Sequence, residues 1–312
     1  MMSPAAIGTG PPLGPEPWLG QADLVFQTTA AGTRHQGYAT APLKLQRGFG
    51  RSGGRWELPI LHTAGGLVGG DRLELRARLE PGSQALLTSV AAQKVYGTVG
   101  RSRLNPTGLW AQQRLQLELA AGADLEWLPQ DLVIYANGLY AQHTEVDLAP
   151  DASFLGAEVV RLGRSAAGEA LGAGCWRSAL EIRRHRSEGR RWELVDRLEL
   201  GGDTLFSSHG LAGQPVLGTL VWAAPAPLQA AAISDLVAQA RADRRGLTGE
   251  MACGALEQGI VARYRGPSSQ AARFWFTRLW CRIRALRGLP EPELPRVWPF
   301  QEQPLLTGEA LN

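Results

Sequence analysis

Between Asp71 and Glu80 the chain reads Asp-Arg-Leu-Glu-Leu-Arg-Ala-Arg-Leu-Glu, with Leu73, Leu75, Ala77 and Leu79 alternating strictly with Arg72, Glu74, Arg76 and Arg78. Successive side chains of an extended chain point to opposite faces, so this period of two predicts a strand with one buried and one wetted face. Gln113–Leu119 repeats it with Leu115, Leu117 and Leu119. The endings recur as well. Leu79-Glu-Pro-Gly-Ser-Gln-Ala-Leu-Leu resembles Leu119-Ala-Ala-Gly-Ala-Asp-Leu-Glu-Trp and Leu148-Ala-Pro-Asp-Ala-Ser-Phe-Leu-Gly, spaced by 40 and then 29 residues. Leu198-Glu-Leu-Gly-Gly-Asp-Thr-Leu-Phe is a fainter fourth copy. Each copy is a polar-faced strand, a turn and a more apolar strand. Units that stack and share a core suggest a β-solenoid or an elongated β-sandwich; ordinary hairpins in an all-β protein remain the alternative.

Composition agrees with a turn-rich β protein. The 312 residues are 44% hydrophobic, which excludes wholesale disorder, and the 38 glycines and 20 prolines favour tight turns. A net charge of +3 is not a nucleic-acid footprint. Cys175, Cys253 and Cys281 form no Cys-x-x-Cys pair, and their odd number argues against a disulfide framework, so a cytoplasmic setting is expected. No apolar run is long enough for a membrane span, and the Pro/Gly-rich start does not read as a signal peptide. A flexible extension is expected over residues 1–20, one domain over 21–298 and a tail over 299–312.

Two helices are expected in the C-terminal half, at 227–244 and from Ser268 to Gly288, flanking a hairpin. The second carries an apolar stripe of Ala272, Trp275, Phe276, Leu279, Ile283 and Leu286, bordered by Arg273, Trp280, Arg284 and Arg287. The stripe suits a core; its aromatic and arginine border also suits a partner interface.

Catalytic signatures are missing: no His-Glu-x-x-His, no Gly-x-Ser-x-Gly and no Walker lysine. The glycine-rich run Thr63–Asp71, with Gly65, Gly66, Gly69 and Gly70, is followed by a strand pattern, not by a helix whose N-terminus could hold phosphate. Its glycines therefore point to unusual backbone angles or close strand approach. His35, His62, His143, His185 and His209 show no ligand spacing. Two acids stand out. Asp196 shares an inward row with Trp192, Leu194, Leu198 and Leu200, and Glu158 aligns with Phe154, Gly156 and Val160. An inward carboxylate is costly unless paired, protonated, hydrated or metal-bound. Each is expected either to pair with an arginine or to line a polar passage for a cation.

Several stretches resemble the UreD (UreH) family of urease accessory proteins: 41–47 (APLKLQR), 61–73 (LHTAGGLVGGDRL), 86–97 (LLTSVAAQKVYG), 125–131 (LEWLPQD), 154–169 (FLGAEVVRLGR…GE) and 295–298 (PRVW). They follow the family's order and cover about residues 22–298. The resemblance implies a non-catalytic scaffold that binds apo-urease, a UreF-type partner and, through it, a UreG-type GTPase. It has no permanently bound cofactor; nickel(II) is cargo, carried in the family's proposed internal tunnel. The implied fold is a right-handed β-helix with a pair of helices.

Residue by residue, the resemblance places Asp71, Glu158 and Asp196 along that nickel passage. Lys94 and Tyr96 match a Lys-x-Tyr pair, and Glu126, Trp127, Gln130 and Asp131 belong to the 125–131 motif. The chain departs from the pattern at His62-Thr-Ala, where His-Pro-Pro is common, at Gln93, where a small residue is usual, and at Arg51-Ser-Gly-Gly-Arg, where acids often stand. Two rival readings are a β-helix carbohydrate-active enzyme, which as a hydrolase needs two exposed carboxylates about 5–9.5 Å apart, and an inert interaction module.

Overall fold

The computed structural model describes residues 17–298; most of the expected extension and the whole expected tail lie outside the described residues. In chain order the strands are β1 (Leu19–Thr29), β2 (Gly32–Ala39), β3 (Leu43–Leu45), β4 (Phe49–Gly50), β5 (Trp56–His62), β6 (Arg72–Leu79), β7 (Gln84–Ser89), β8 (Gln93–Val95) and β9 (Ala111–Leu119). There follow β10 (Asp124–Trp127), β11 (Leu132–Ile134), β12 (Leu139–Leu148), β13 (Ser153–Leu162), β14 (Cys175–Arg186), β15 (Gly189–Gly201), β16 (Val216–Ala223), β17 (Glu250–Leu256) and β18 (Gly259–Gly266). The helices are α1 (Ala230–Ala242) and α2 (Ser269–Leu286).

The strands form two open sheets. The first runs β15-β14-β12-β9-β6-β1-β2; the second runs β17-β18-β16-β13-β10-β7-β5-β3, with β4 beside β5, and β8 joined to β13 through β11. From β5 to β14 the chain alternates between them, and strands β6, β9, β12 and β14 are parallel neighbours, as are β5, β7, β10 and β13. The three clear sequence copies are thereby brought side by side, with Leu79 opposite Leu119 and Leu119 opposite Leu148. The polar-faced strand of each copy lies in the first sheet. The apolar strand lies in the second, which is covered on both sides, and a strand covered on both faces reads as a continuous apolar run.

The fourth copy is a correction. β15 runs antiparallel to β14, so the next parallel neighbour in the row is β14, which carries no copy of the ending. A second correction concerns the inward row of β15. The register shifts between Ile182 and Arg183, leaving Glu193 without a partner residue, as in a β-bulge. One extra residue exchanges the two faces beyond it. Trp192 therefore stands half exposed, while Glu193 turns inward onto Arg184, itself fully buried.

One core fills the space between the sheets and includes Leu24, Leu75, Leu117, Leu125 and Phe154; a second lies between the outer face of the second sheet and the helices and includes Leu86, Leu155, Trp222, Trp275 and Leu279. Both expected helices form. Ser268 caps α2 by accepting from the Ala271 N–H at 3.1 Å, and the Trp275 indole donates to the Ala240 carbonyl of α1 at 2.9 Å. Among the described residues, no helix is long and apolar enough to cross a membrane.

Candidate functional site

Because β12 alternates, Tyr140, Gln142 and Thr144 face the space between the sheets while His143 and Glu145 face away from it. Register stacks inward polar side chains across three neighbouring strands: Gln142 lies opposite Gln113 of β9 on one side and Ser178 of β14 on the other. Around this polar row the core is incomplete. A cavity of about 90 Å³ extends from His62, Ser89 and Gln93 to Gln142 and Glu158. A smaller one of about 40 Å³ continues toward Ser178, Asp196 and Thr219. Trp127, Gln142, Thr144 and Glu158 line both, so the two meet at Glu158. Such volumes admit water, which needs roughly 10–15 Å³ of probe-occupied space per molecule and polar partners to bind.

Among the described residues Glu158 forms no salt bridge. The Gln142 amide donates to its two oxygens at 2.7 and 2.6 Å and to Ser178 Oγ at 3.2 Å. Burial pushes the Glu158 carboxyl up to about 7; the Gln142 bond and the Arg263 charge pull the other way, and Asp196 adds a smaller upward push. Tyr140 is pushed well above its ordinary range, first by burial and then by the Glu158 charge; its hydroxyl donates to Gln113 at 3.1 Å. The junction therefore has an acid that can exist with or without its proton near neutral pH, among neutral amides and hydroxyls.

The other two acids differ. Asp196 faces the smaller cavity but is neutralised by Arg263, which also donates to Thr219 Oγ1 at 2.7 Å. Its chain neighbour Arg197 instead binds Glu181 at 2.6 Å. Asp71 lines neither cavity. Its oxygens accept from the backbone N–H groups of Trp18 and Val68, both at 2.9 Å, which ties the glycine-rich run to the start of β1. His62 does line the larger cavity, with its Nε2 enclosed and unbonded. Burial lowers its pKa, against an opposing pull from Asp71.

The glycines act through backbone shape. Gly65 and Gly70 have φ of 75° and 98°. At Gly66 a Cβ would come within 2.6 Å of the Tyr96 ring and 3.0 Å of Lys94, and at Gly69 within 2.5 Å of the Leu109 carbonyl. Leu67 consequently bridges to Val95, between Lys94 and Tyr96. Lys94 is exposed, and the partly exposed Tyr96 donates to the Gly65 carbonyl at 3.3 Å.

The 125–131 motif splits between two tasks. Trp127 and Gln130 line the larger cavity. Glu126 and Asp131 hold α2: the Trp280 indole donates to Glu126 at 2.8 Å, Arg284 binds it at 2.8 and 2.7 Å, and Arg273 pairs with Asp131. Arg287 reaches Asp124 at 2.9 Å. Arg273, Trp280 and Arg284 are all buried, so the face expected to meet a partner is covered by this protein's own second sheet. An amphipathic pattern reports that a face is buried and does not tell which molecule covers it.

Sequence spacing missed two features. Gln142, which hydrogen-bonds both oxygens of Glu158, carries no charge to draw attention; its signal is an amide on the inward phase of a strand. His143 has no second histidine nearby, yet the fold places it with Glu145 and Glu181, one potential ligand atom from each lying within 4.8 Å of the others. The signal here was the His-x-Glu spacing, which on a strand puts both side chains on one face.

Residues 19–299 match the model of the UreD urease accessory protein family. The chain is 58% identical over 290 residues to the urease accessory protein UreD of Synechococcus sp. (strain CC9311), covering 93% of this chain and 98% of that protein. It is 60% identical over 297 residues to that of Parasynechococcus marenigrum (strain WH8102), with 95% of each chain covered. To that of Prochlorococcus marinus (strain MIT 9303) it is 57% identical over 297 residues, covering 93% of this chain and 99% of that one.

Proposed function

Because the chain belongs to the UreD family of urease accessory proteins, we propose that its part in urease maturation is to hold apo-urease together with UreF-type and UreG-type partners and to pass nickel(II) through its interior. Membership implies a maturation factor rather than an enzyme. The observation that carries the finer reading is the pair of adjoining cavities that meet at Glu158, with Asp196 also lining the smaller one. A passage must bind an ion well enough to admit it and weakly enough to release it. One acid among amides and hydroxyls suits that better than a closed set of histidines and thiolates would. We read the parallel strands as coils of a β-solenoid, whose axis the cavities follow, and place the protein in the cytoplasm.

Asp71 has no place along this route. It serves as an anchor for the glycine-rich run, and the route relies on Glu158 and, secondarily, Asp196. The test is reconstituted activation of apo-urease with nickel and the two partner types, with and without this chain. Nickel-loaded, active urease is expected only when the chain is present. Equal activation in its absence would overturn the reading.

A further inference from the structure

His143 and Glu145 project together from the outer face of β12, and Glu181 of β14 is the in-register neighbour of Glu145. Like charges directly opposite in a sheet repel, and each carboxylate is held by an arginine. Arg114 donates to Glu145 Oε2 at 3.1 and 2.7 Å, and Gln116 reaches the same oxygen at 3.4 Å. Arg197 donates to Glu181 Oε1 at 3.1 and 2.6 Å. In both residues the arginine occupies one oxygen and leaves the other. Glu145 Oε1 accepts no hydrogen bond from the described residues. Glu181 Oε2 lies 3.4 Å from His143 Nε2, an enclosed nitrogen without a well-formed hydrogen bond.

We propose that His143, Glu145 and Glu181 form a partly buried site for a divalent first-row transition ion on the outer face of the first sheet, separate from the interior cavities. One imidazole and two carboxylates suit zinc, nickel or cobalt better than calcium or magnesium, which take oxygen alone. Metal bonds of about 2.0–2.2 Å place neighbouring ligand atoms roughly 3–3.5 Å apart. The His143–Glu181 separation already satisfies this, and the outer limit of 4.8 Å requires a contraction of roughly 1.3–1.8 Å. Arg114 and Arg197 orient the carboxylates in the way outer-shell partners of metal ligands do. Their two positive charges offset the two carboxylates, so the ion is held exchangeably, with water completing its coordination. Gln142 and Thr144, the inward neighbours of His143 on the strand, line the cavities, so the outer and inner groups occupy opposite faces of one sheet.

The site is tested on untagged full-length protein titrated with Co²⁺ or Zn²⁺ alone, following ions bound per chain, Co²⁺ visible absorption and paramagnetically shifted imidazole protons. Wild type is expected to show a shifted His143 imidazole. His143→Gln and Glu181→Gln should each weaken binding by about tenfold or more while keeping the melting temperature. Glu158→Gln should leave this site loaded. Wild type without a shifted imidazole, or a His143→Gln/Glu181→Gln double variant that binds as tightly as wild type, would overturn the site. Should either single variant fail to fold, the wild-type imidazole shift decides alone. The interior passage stands or falls separately, since Glu158 has no part in this site.

Discussion

Asp71 gives both carboxylate oxygens to backbone amides, Asp196 gives one to Arg263, and Glu158 has, among the described residues, only the amide of Gln142. The three acids therefore respond differently to neutralisation. Asp71→Asn presents an NH₂ to a backbone N–H and leaves a donor unsatisfied, which should cost about 1–3 kcal/mol and lower the melting temperature. An unchanged melting temperature would contradict the anchoring role. For Glu158 the sign runs the other way. Its folded pKa of about 7 stands above the ordinary value of 4.5, so the folded state binds the extra proton between these values. Its contribution is present below about pH 4.5 and is lost as pH rises through 7, amounting to at most about 3 kcal/mol. Glu158→Gln should flatten that part of the stability-against-pH curve; an identical slope would contradict the buried, unpaired carboxyl. The inward placement of both acids could be read from strand alternation. Their partners could not, because Arg263 and Gln142 lie far from them in sequence and meet them only through sheet register.

At the scale of elements, α2 is fastened to the second sheet by buried charge. Glu126 receives Arg284 at 2.7 Å and Arg55 at 3.5 Å as well as the Trp280 indole. Removing the charge leaves buried Arg284 short of its counter-ion, while Arg55 keeps Asp124 at 2.7 Å, so Glu126→Gln should cost about 3–5 kcal/mol. Urea unfolding would check this, and a loss below about 1 kcal/mol, the scale of an exposed pair, would contradict it. Ser268→Ala removes only a helix cap and should cost about 1 kcal/mol. The helices, the hairpin at 249–266 and the cap were legible in spacing and capping residues. The bulge at Glu193 was not. No residue type marks it, and it follows from the demand of buried Arg184 for a carboxylate, which a strict alternation would have turned outward.

At the scale of the whole molecule, strands that read as copies lie side by side in parallel rows, because equivalent leucines meet in register at each turn. The polar interior was legible only in its acids. The row of Gln113, Gln142 and Ser178 that surrounds Glu158 emerges when three strands from separate copies align. The proposed route takes nickel past Glu158 on its way to urease. Glu158→Gln keeps the shape of the side chain and removes its charge, so folding and partner binding should survive. The most direct measurement is nickel per urease active site after activation with this variant, in complexes of wild-type composition and melting temperature. Urease is expected to be substantially nickel-poor and correspondingly inactive. Full nickel occupancy at the wild-type rate would contradict the route.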